Sequence, residues 1–324
     1  MSLFFCVACV LALGACGSGD SSDDSPEGPS AGKTVIIESV AVQSGLIEED
    51  GEVALHVRLP ASYADSDDGT YPVVYCLHGF GDDPRQMADT LALALADDSA
   101  PEAILVAVDG TNRLGGSFYA NSAATGDWED LVVDEVVAYM DSHYRTETSA
   151  ARRMLAGFSM GGFAAWNIAL AHPDVFGSAW ACCPGAWDAN GLSDTLAMWD
   201  GVYRNAYGAA FSPDTDGPYP YAGIPRQTGT PEDSAIAADW ERGFGGIDEK
   251  LEAYLAGTGR LVAIRFAYAS SDEYRWIPNG TRFVAGRMKD AGLPAEIGEF
   301  SGNHRMSDSM IGESFVPFVH TVFN

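Results

Sequence analysis

Ser159 lies at the centre of the pattern Gly157-Phe158-Ser159-Met160-Gly161, between a short apolar run and an alanine-rich run. In G-x-S-x-G motifs the serine sits on a sharp turn from a strand to a helix, and the glycines leave room for the two elements to approach each other. A serine hydroxyl is a poor nucleophile at neutral pH, so it needs a histidine base, an acid that orients the base, and an oxyanion hole. The pattern therefore predicts nucleophilic catalysis at Ser159.

His304 is the candidate base among the six histidines, because it follows the last predicted strand, residues 295–300, in a glycine-containing turn. Asp272 and Glu273 follow the preceding strand, 261–269, and either carboxylate could orient the imidazole. Asp272 is favoured because it lies closer to the strand end, where side chains are held most rigidly. The order serine, acid, histidine along the chain is the order found in α/β-hydrolase triads.

The oxyanion hole is predicted from the apolar run Tyr71–Leu77 and the His78-Gly79-Phe80-Gly81 segment that follows it. In α/β-hydrolases the loop after this strand supplies one backbone N–H group, and the residue after the nucleophile supplies the other. The candidates are the N–H groups of Phe80 and Met160. His78 is expected to brace the loop and to take no part in proton transfer.

Apolar strand patterns alternate with helical patterns along most of the chain, which predicts an α/β fold with a mostly parallel sheet. Strands are expected at 71–77, 103–108, 153–157, 178–183, 261–269 and 295–300, after an antiparallel hairpin formed by 34–42 and 52–59. Helices are expected at 84–95, 127–143, 163–171, 248–256, 278–291 and 307–323.

The segment 187–246 departs from this alternation and is rich in aromatic residues. An insertion at this point is expected to form a cap over the active-site end of the sheet. Its aromatic side chains could form either the core of the cap or a platform for substrate. Trp187 is the candidate substrate-binding residue. The chemistry predicted here requires no metal and no cofactor.

The N-terminal residues 1–16 are apolar and too short to span a bilayer, which predicts a signal peptide. Leu13-Gly14-Ala15-Cys16 resembles a bacterial lipobox, in which Cys16 becomes the lipidated first residue of the mature protein. Residues 17–32 have the composition of a flexible linker, and 33–324 form the folded domain. We therefore expect an exported lipoprotein anchored at the bacterial cell surface; an ordinary cleaved signal and a secreted protein are the alternative.

A formal charge of −28, from 46 acidic and 18 basic residues, argues against nucleic acid as a partner. The hydrophobic content of 47% is ample for a buried core. Beyond Cys16, the chain carries Cys76, Cys182 and Cys183, and this odd number argues against a disulfide framework. These cysteines are expected to behave as small buried hydrophobic residues.

Five segments together resemble a known family: LHGFG, GSFYANSAATGDWEDLVVDEVVAYMDSHYRT, AGFSMGGFAAWNIALAHPDVFG, SSDE and GNH. They are similar to the family named Putative esterase, which includes feruloyl and acetylxylan esterases, S-formylglutathione hydrolases and mycolyltransferases. The resemblance covers about residues 50–324. It implies a three-layer αβα sandwich of the α/β-hydrolase type, serine hydrolase activity, and a triad of Ser159, Asp272 and His304.

Export and this resemblance together lead us to expect a carboxylesterase that cleaves acyl or feruloyl esters of carbohydrates. Acyl transfer to a sugar of the cell envelope is an alternative that would use the same triad. A protein of another class, a non-catalytic hydrolase-fold protein that binds glycans through the aromatic segment, is a further alternative.

Overall fold

The computed structural model of the chain describes residues 32–65, 68–96 and 100–324. The predicted signal peptide, its Cys16 and all but the last residue of the predicted linker lie outside the described residues. No helix in the described part of the chain has both the length and the apolar character that a membrane crossing requires.

The main sheet has eight strands in the order β1-β2-β4-β3-β7-β8-β9-β10, and β5 pairs only with β6. The strands are β1 Lys33–Glu38, β2 Glu52–Arg58, β3 Val73–Leu77, β4 Ile104–Val108, β5 Asn121–Ser122, β6 Gly126–Asp127, β7 Arg153–Phe158, β8 Ser178–Cys182, β9 Ala263–Ala269 and β10 Ala295–Phe300. In the main sheet, β2 is antiparallel to both of its neighbours and every other pairing is parallel. The predicted hairpin and the mostly parallel sheet are confirmed.

The helices cover both faces of the sheet and complete an α/β-hydrolase fold. They are α1 Val40–Gln43, α2 Pro84–Ala94, α3 Trp128–Asp130, α4 Val137–His143, α5 Met160–Ala171, α6 Gly191–Met198, α7 Gly201–Phe211, α8 Pro231–Phe244, α9 Ile247–Ala256, α10 Trp276–Asp290, α11 Asp308–Met310 and α12 Val316–Phe323. Wider π-helical turns, Leu131–Val136 and Ile311–Phe315, join α3 to α4 and α11 to α12.

The four central strands explain why the sequence pattern is so clear in the middle of the chain. Every residue of β3, β4, β7 and β8 is buried. Helices on both faces leave no solvent-exposed side to a parallel strand, so its sequence is almost continuously apolar. The carboxyl ends of these strands meet at one edge of the sheet, where the candidate residues lie.

Several element boundaries differ from the prediction, and two of the differences have clear local reasons. The first strand ends at Glu38 because the Ser39 side chain accepts a hydrogen bond of 3.1 Å from the Val42 N–H and starts the short helix α1. The helix after the Ser159 turn begins at Met160, three residues earlier than predicted, because the turn leads directly into the helix.

The aromatic segment 187–246 folds into the helices α6, α7 and α8, which pack around Tyr207. The Tyr207 hydroxyl donates a 3.0 Å hydrogen bond to the Trp240 carbonyl and accepts one of 2.8 Å from the Phe244 N–H. This buried phenol therefore joins α7 to the C-terminal end of α8. We refer to residues 187–246 as the cap.

Lys250, at the start of α9, connects the cap to the central part of the fold. Its ammonium group donates hydrogen bonds to the carbonyl oxygens of Arg242, Gly243 and Gly245, at 2.8, 2.5 and 3.0 Å. The same group lies 5.1 Å from the centroid of the Trp166 ring, on α5. One side chain thus joins the end of α8 to the helix that begins immediately after Ser159.

Candidate active site

Ser159 occupies a strained turn between β7 and α5. Its φ of +54° and ψ of −111° lie in a region that L-residues rarely adopt. The turn is held by a hydrogen bond of 2.9 Å from the Ser159 N–H to the Cys182 carbonyl on the neighbouring strand. A side chain on Gly157 would place its Cβ 1.9 Å from the Gly161 carbonyl oxygen, and one on Gly161 would approach the Leu77 oxygen equally closely. Both glycines are therefore required by the close approach of backbone to backbone.

The structure brings the three predicted triad residues into one hydrogen-bonded chain. His304 Nε2 lies 2.9 Å from the Ser159 hydroxyl, and His304 Nδ1 lies 2.9 Å from Asp272 Oδ2. Asp272 is fully buried, and its other carboxylate oxygen accepts a hydrogen bond of 2.9 Å from the Tyr274 N–H. The backbone thus fixes Asp272 Oδ1, while Oδ2 of the same carboxylate contacts the imidazole.

Glu273, the alternative acid, has a different position. Its carboxylate is exposed and accepts a hydrogen bond of 2.9 Å from the backbone N–H of His304. It therefore contacts the main chain of the loop, whereas Asp272 contacts the ring. The geometry favours Asp272 as the residue that orients the imidazole.

Phe80 and Met160 are the residues whose backbone N–H groups we expect to form the oxyanion hole. Both residues line the same cavity as Ser159. In the part of the chain that the structure describes, the Phe80 N–H donates no hydrogen bond. Met160 is the first residue of α5, where N–H groups have no acceptor within the helix and the helix dipole favours negative charge.

His78 braces the loop that carries Phe80, as predicted. It is 1% exposed, its Nε2 accepts a hydrogen bond of 2.9 Å from the Gly110 N–H, and its Nδ1 lies 2.7 Å from the Gly79 carbonyl oxygen. This pair of contacts assigns the ring proton to Nδ1, which donates it to that carbonyl. Both nitrogens are occupied, so His78 has no lone pair free for acid-base chemistry.

The electrostatic environment of His304 favours its protonated form. Burial acts to lower the pKa of the imidazole, but hydrogen bonds to Asp272 and Cys183 raise it, and the result is a pKa of about 9. The neighbouring thiol is affected in the opposite sense. A hydrogen bond from Cys182 lowers the pKa of Cys183, against the effect of burial, and His304 lowers it further.

A cavity of about 510 Å³ opens beside the Ser159 hydroxyl. Its aromatic lining residues include Trp199, Tyr203 and Phe244 from the cap, and Phe80, Phe118 and Trp276 from other elements. Asp82, Asp83, Gln86, Glu273 and Arg305 supply polar groups to the lining. The arrangement can hold an apolar, planar group next to the serine while a polar group remains near charged side chains.

Trp187 does not line this cavity, which corrects its prediction as the substrate-binding aromatic residue. The backbone N–H of Trp187 donates a hydrogen bond of 3.0 Å to the Phe244 carbonyl. Its ring is 1% exposed and packs against Tyr207, Phe244 and Trp276. Trp187 belongs to the core of the cap, and Trp199, Tyr203 and Phe244 supply the cap's part of the wall.

Sequence reasoning did not place Cys183 beside the predicted triad; the residue lies directly after β8. Donor atoms of Cys183, Asp272 and His304 all lie within 4.8 Å of one another, and these residue types can bind a metal ion. The missed signal is its position, because residues that follow parallel strands collect at the edge where a site forms. Its apolar surroundings in the sequence pointed instead to a buried packing residue, and the thiol is indeed buried and free, as are those of Cys76 and Cys182.

Comparison with known proteins places the chain among esterases. A family model described as Putative esterase matches residues 48–239, a range that contains Ser159 but ends before Asp272 and His304. An esterase of Mycobacterium tuberculosis strain H37Rv is 30% identical over 129 residues, covering 39% of this chain and 27% of that protein. An endo-1,4-beta-xylanase/feruloyl esterase of Xylanibacter ruminicola is 32% identical over 136 residues, covering 38% of this chain and 18% of that protein.

The chain thus spans about a quarter or less of the length of these two curated relatives. The solved structure of a ferulic acid esterase superposes with a TM-score of 0.60 at 19% identity, covering 90% of this chain and 98% of that one. At this identity the likeness shows a common α/β-hydrolase fold.

Proposed function

The chain belongs to the Putative esterase family, and from this premise we propose that it is a serine carboxylesterase that works through Ser159, His304 and Asp272. The observation that carries the proposal is the hydrogen-bonded chain from the Ser159 hydroxyl through His304 to Asp272, with a distance of 2.9 Å at each step. At the Ser159 end, these hydrogen bonds meet a cavity large enough for an ester substrate.

Acylation begins when His304 Nε2 takes the Ser159 proton as the hydroxyl oxygen attacks the ester carbonyl carbon. Asp272 stabilises the imidazolium, and the N–H groups of Phe80 and Met160 donate hydrogen bonds to the oxyanion of the tetrahedral intermediate. His304 then gives the proton to the alcohol oxygen as the carbon–oxygen bond breaks. The alcohol leaves, and the acyl group remains on Ser159.

Deacylation repeats these steps with water as the nucleophile. His304 takes a proton from the water, the oxyanion forms again at the same two N–H groups, and the acid is released as the serine regains its proton. The strained backbone at Ser159 suits this cycle, because it holds the hydroxyl oxygen at the cavity in a single backbone conformation.

For the substrate, we propose acyl or feruloyl esters of carbohydrates. The support is the aromatic wall of the cavity, which suits a planar acyl group, and the polar groups at its lining, which suit a sugar. The names of two similar proteins, a feruloyl esterase and a ferulic acid esterase, point to the same class of ester.

A panel of esters tests the proposal. The full chain and its Ser159→Ala variant are assayed with p-nitrophenyl acetate, p-nitrophenyl butyrate and methyl ferulate, and both are treated with a fluorophosphonate probe. We expect hydrolysis and labelling by the native protein and neither by the variant. Ser193→Ala, which changes an exposed serine on α6, is the matched control and should retain both.

Equal rates in the native protein and in Ser159→Ala would refute the role of the serine. If the native protein is labelled by the probe but hydrolyses none of the esters, the serine is reactive and the proposed substrate class is wrong. If sugar acceptors divert the acyl group into a new ester, acyl transfer to a sugar replaces hydrolysis as the function.

We further propose that the protein is exported and held on a membrane by a lipid on Cys16. The support comes from the sequence alone: the lipobox pattern before Cys16 and the flexible composition of residues 17–32. The test is metabolic labelling with palmitate, followed by separation of membranes. We expect the native protein to be labelled and to appear in the membrane fraction, and Cys16→Ala to be unlabelled and absent from that fraction. Membrane association that is unaffected by Cys16→Ala would refute the proposal.

A further inference from the structure

Cys183, Asp272 and His304 form a compact set of three different metal-binding side chains behind the Ser159 hydroxyl. One donor atom from each lies within 4.8 Å of the others. Cys183 and Asp272 have no exposed surface, and the side chain of His304 is 10% exposed. From this geometry we propose that the three residues form a binding site for a soft divalent cation, Zn²⁺ or Cd²⁺, and that its occupation switches the esterase off.

The chemistry of the donors selects the class of metal. A thiolate and an imidazole favour Zn²⁺ and Cd²⁺ over Mg²⁺ or Ca²⁺, which prefer oxygen ligands. Tetrahedral zinc with one sulfur, one nitrogen and one oxygen ligand separates its donor atoms by about 3.4–3.6 Å. The 4.8 Å limit of the observed set exceeds these separations by about 1.2–1.4 Å, which side-chain rotation can supply. His304 Nδ1 and Asp272 Oδ2, which are 2.9 Å apart, would instead move apart by about 0.5 Å, and the fourth position is left to water.

The backbone at Cys183 supports a specific placement of the thiol. Cys183 has a φ of +42°, which is unusual for a residue with a side chain, and its N–H donates a 2.7 Å hydrogen bond to the Ala267 carbonyl. This conformation puts the Cys183 and Cys182 sulfur atoms 3.9 Å apart although the residues are adjacent. The Cys182 Sγ lies 2.8 Å from the Met310 Sδ. Of the two neighbouring thiols, only that of Cys183 therefore belongs to the set with Asp272 and His304.

Occupation of this site and catalysis exclude each other. Binding releases the proton of the Cys183 thiol to solvent, and the metal takes a lone pair of the imidazole. If the metal binds Nδ1, the ring proton moves to Nε2, which then donates to Ser159; if it binds Nε2, that nitrogen is occupied directly. In either case His304 cannot accept the Ser159 proton. The loss of activity rests on the proposed function, whereas binding of the metal does not.

Cadmium titration of the full chain tests the site without reference to activity. The ultraviolet charge-transfer band between thiolate and Cd²⁺ should grow to saturation in the native protein. We expect this band to be lost in Cys183→Ser and kept in Cys182→Ser, which is the matched control because each variant removes one of two adjacent buried thiols. His304→Ala keeps both thiols and should bind Cd²⁺ about tenfold more weakly or worse.

Inhibition is then measured with Zn²⁺, with each rate expressed relative to the same variant in EDTA. The native protein and Cys182→Ser should be inhibited and recover on addition of EDTA, and Cys183→Ser should need about tenfold more Zn²⁺ or more. A cadmium band that survives in Cys183→Ser, or that is lost in Cys182→Ser, overturns the site. If the cadmium band behaves as expected but Zn²⁺ inhibits all three proteins equally, the site binds metal but does not switch the esterase off, and that part of the proposal is overturned.

If Cys183→Ser does not unfold cooperatively, His304→Ala decides the question, because its cadmium affinity should fall while both thiols remain. Failure of the proposed function looks different. In that case the protein hydrolyses no ester with or without EDTA, while the cadmium band still reports on the site.

Discussion

The ends of the central strands and the cap build two halves of one cavity by different means. Ser159, Asp272 and His304 each lie within four residues of the end of a parallel strand, so the sheet fixes their positions. Trp199, Tyr203 and Phe244 come from α6 to α8, where rings pack on rings and no sheet sets the register.

This difference indicates a separation of tasks. In the proposed mechanism, the strand ends hold the groups that transfer protons and bind the oxyanion, which require positions fixed to a fraction of an ångström. The cap supplies Trp199, Tyr203 and Phe244 to the wall, which in the proposed function contacts the acyl group of the substrate. Changes at the strand ends should therefore stop the reaction on every ester, whereas changes in the cap should alter the preference among esters or the stability.

The largest effect is expected from His304→Ala. Without the base, the Ser159 hydroxyl keeps its proton, and kcat should fall on the order of 10⁴- to 10⁶-fold for all esters. Steady-state kinetics on p-nitrophenyl acetate and methyl ferulate measure this loss. His143→Ala, which removes an exposed histidine on α4, is the control and should be near native. A loss confined to one ester would contradict the separation of tasks.

The next largest effect separates the two neighbouring carboxylates. Asp272→Asn should lower kcat about 10⁴-fold, because an amide cannot stabilise the imidazolium and favours the wrong tautomer. Glu273→Gln keeps an oxygen that can accept the hydrogen bond from the His304 N–H, so its loss should be within about tenfold. Comparable losses of kcat in both variants would show that activity depends on the conformation of the loop that carries His304, and not on the contact between Asp272 and the His304 ring.

The pH dependence of kcat/KM should reflect the environment of His304. Only the neutral imidazole accepts a proton, and its pKa is raised from the ordinary value to about 9. Activity should therefore fall as the pH drops below this pKa, by about tenfold per pH unit, with a midpoint above the ordinary value of about 6.5. The profile is recorded with EDTA present. Cys183→Ser removes one of the raising contacts and should move the midpoint to lower pH; an unchanged midpoint contradicts this account.

Tyr203→Ala probes the wall built by the cap. The Tyr203 ring lies 4.8 Å from that of Phe80 and lines the cavity. Loss of an aromatic contact is worth about 0.5–1.5 kcal/mol beyond the area it buries, so kcat/KM for methyl ferulate should fall about tenfold. The value for p-nitrophenyl acetate should change much less. Val202→Ala, at an exposed neighbouring position, is the control. Equal losses on both esters would assign Tyr203 to the chemistry instead.

Tyr207→Phe tests the core of the cap through its stability. Removing the hydroxyl leaves the buried Phe244 N–H without its acceptor, which costs about 1–3 kcal/mol in the free energy of unfolding. Urea unfolding measures this cost. Tyr219→Phe removes the same group from an exposed ring and should be close to neutral. A neutral result for Tyr207→Phe would mean that the cap is not held by this phenol.

The sequence was sufficient to predict the sheet and to select Ser159 and His304, which the structure brings within hydrogen-bond distance, because both predictions follow from strong local signals. Ser159 is marked by its glycines, and His304 by its position after the last strand. The identity of the acid needed the structure, since Asp272 and Glu273 are adjacent and only their directions differ. The wall of the cavity could not be predicted for a related reason. Trp187 and Trp199 are both aromatic and both near helix ends, and tertiary packing alone decides which of them faces the substrate.

The contacts of Lys250 bear on how quickly a substrate can enter. Because this side chain joins the end of α8 to α5, the cap and the strand ends should move together, without a hinge between them. Entry then depends on rotations of individual side chains such as Tyr203, which is only partly buried. Such rotations take picoseconds to nanoseconds, whereas the opening of a domain takes microseconds to milliseconds. We therefore expect the rate of ester capture to be limited by diffusion to the cavity mouth or by acylation, and not by the opening of a gate.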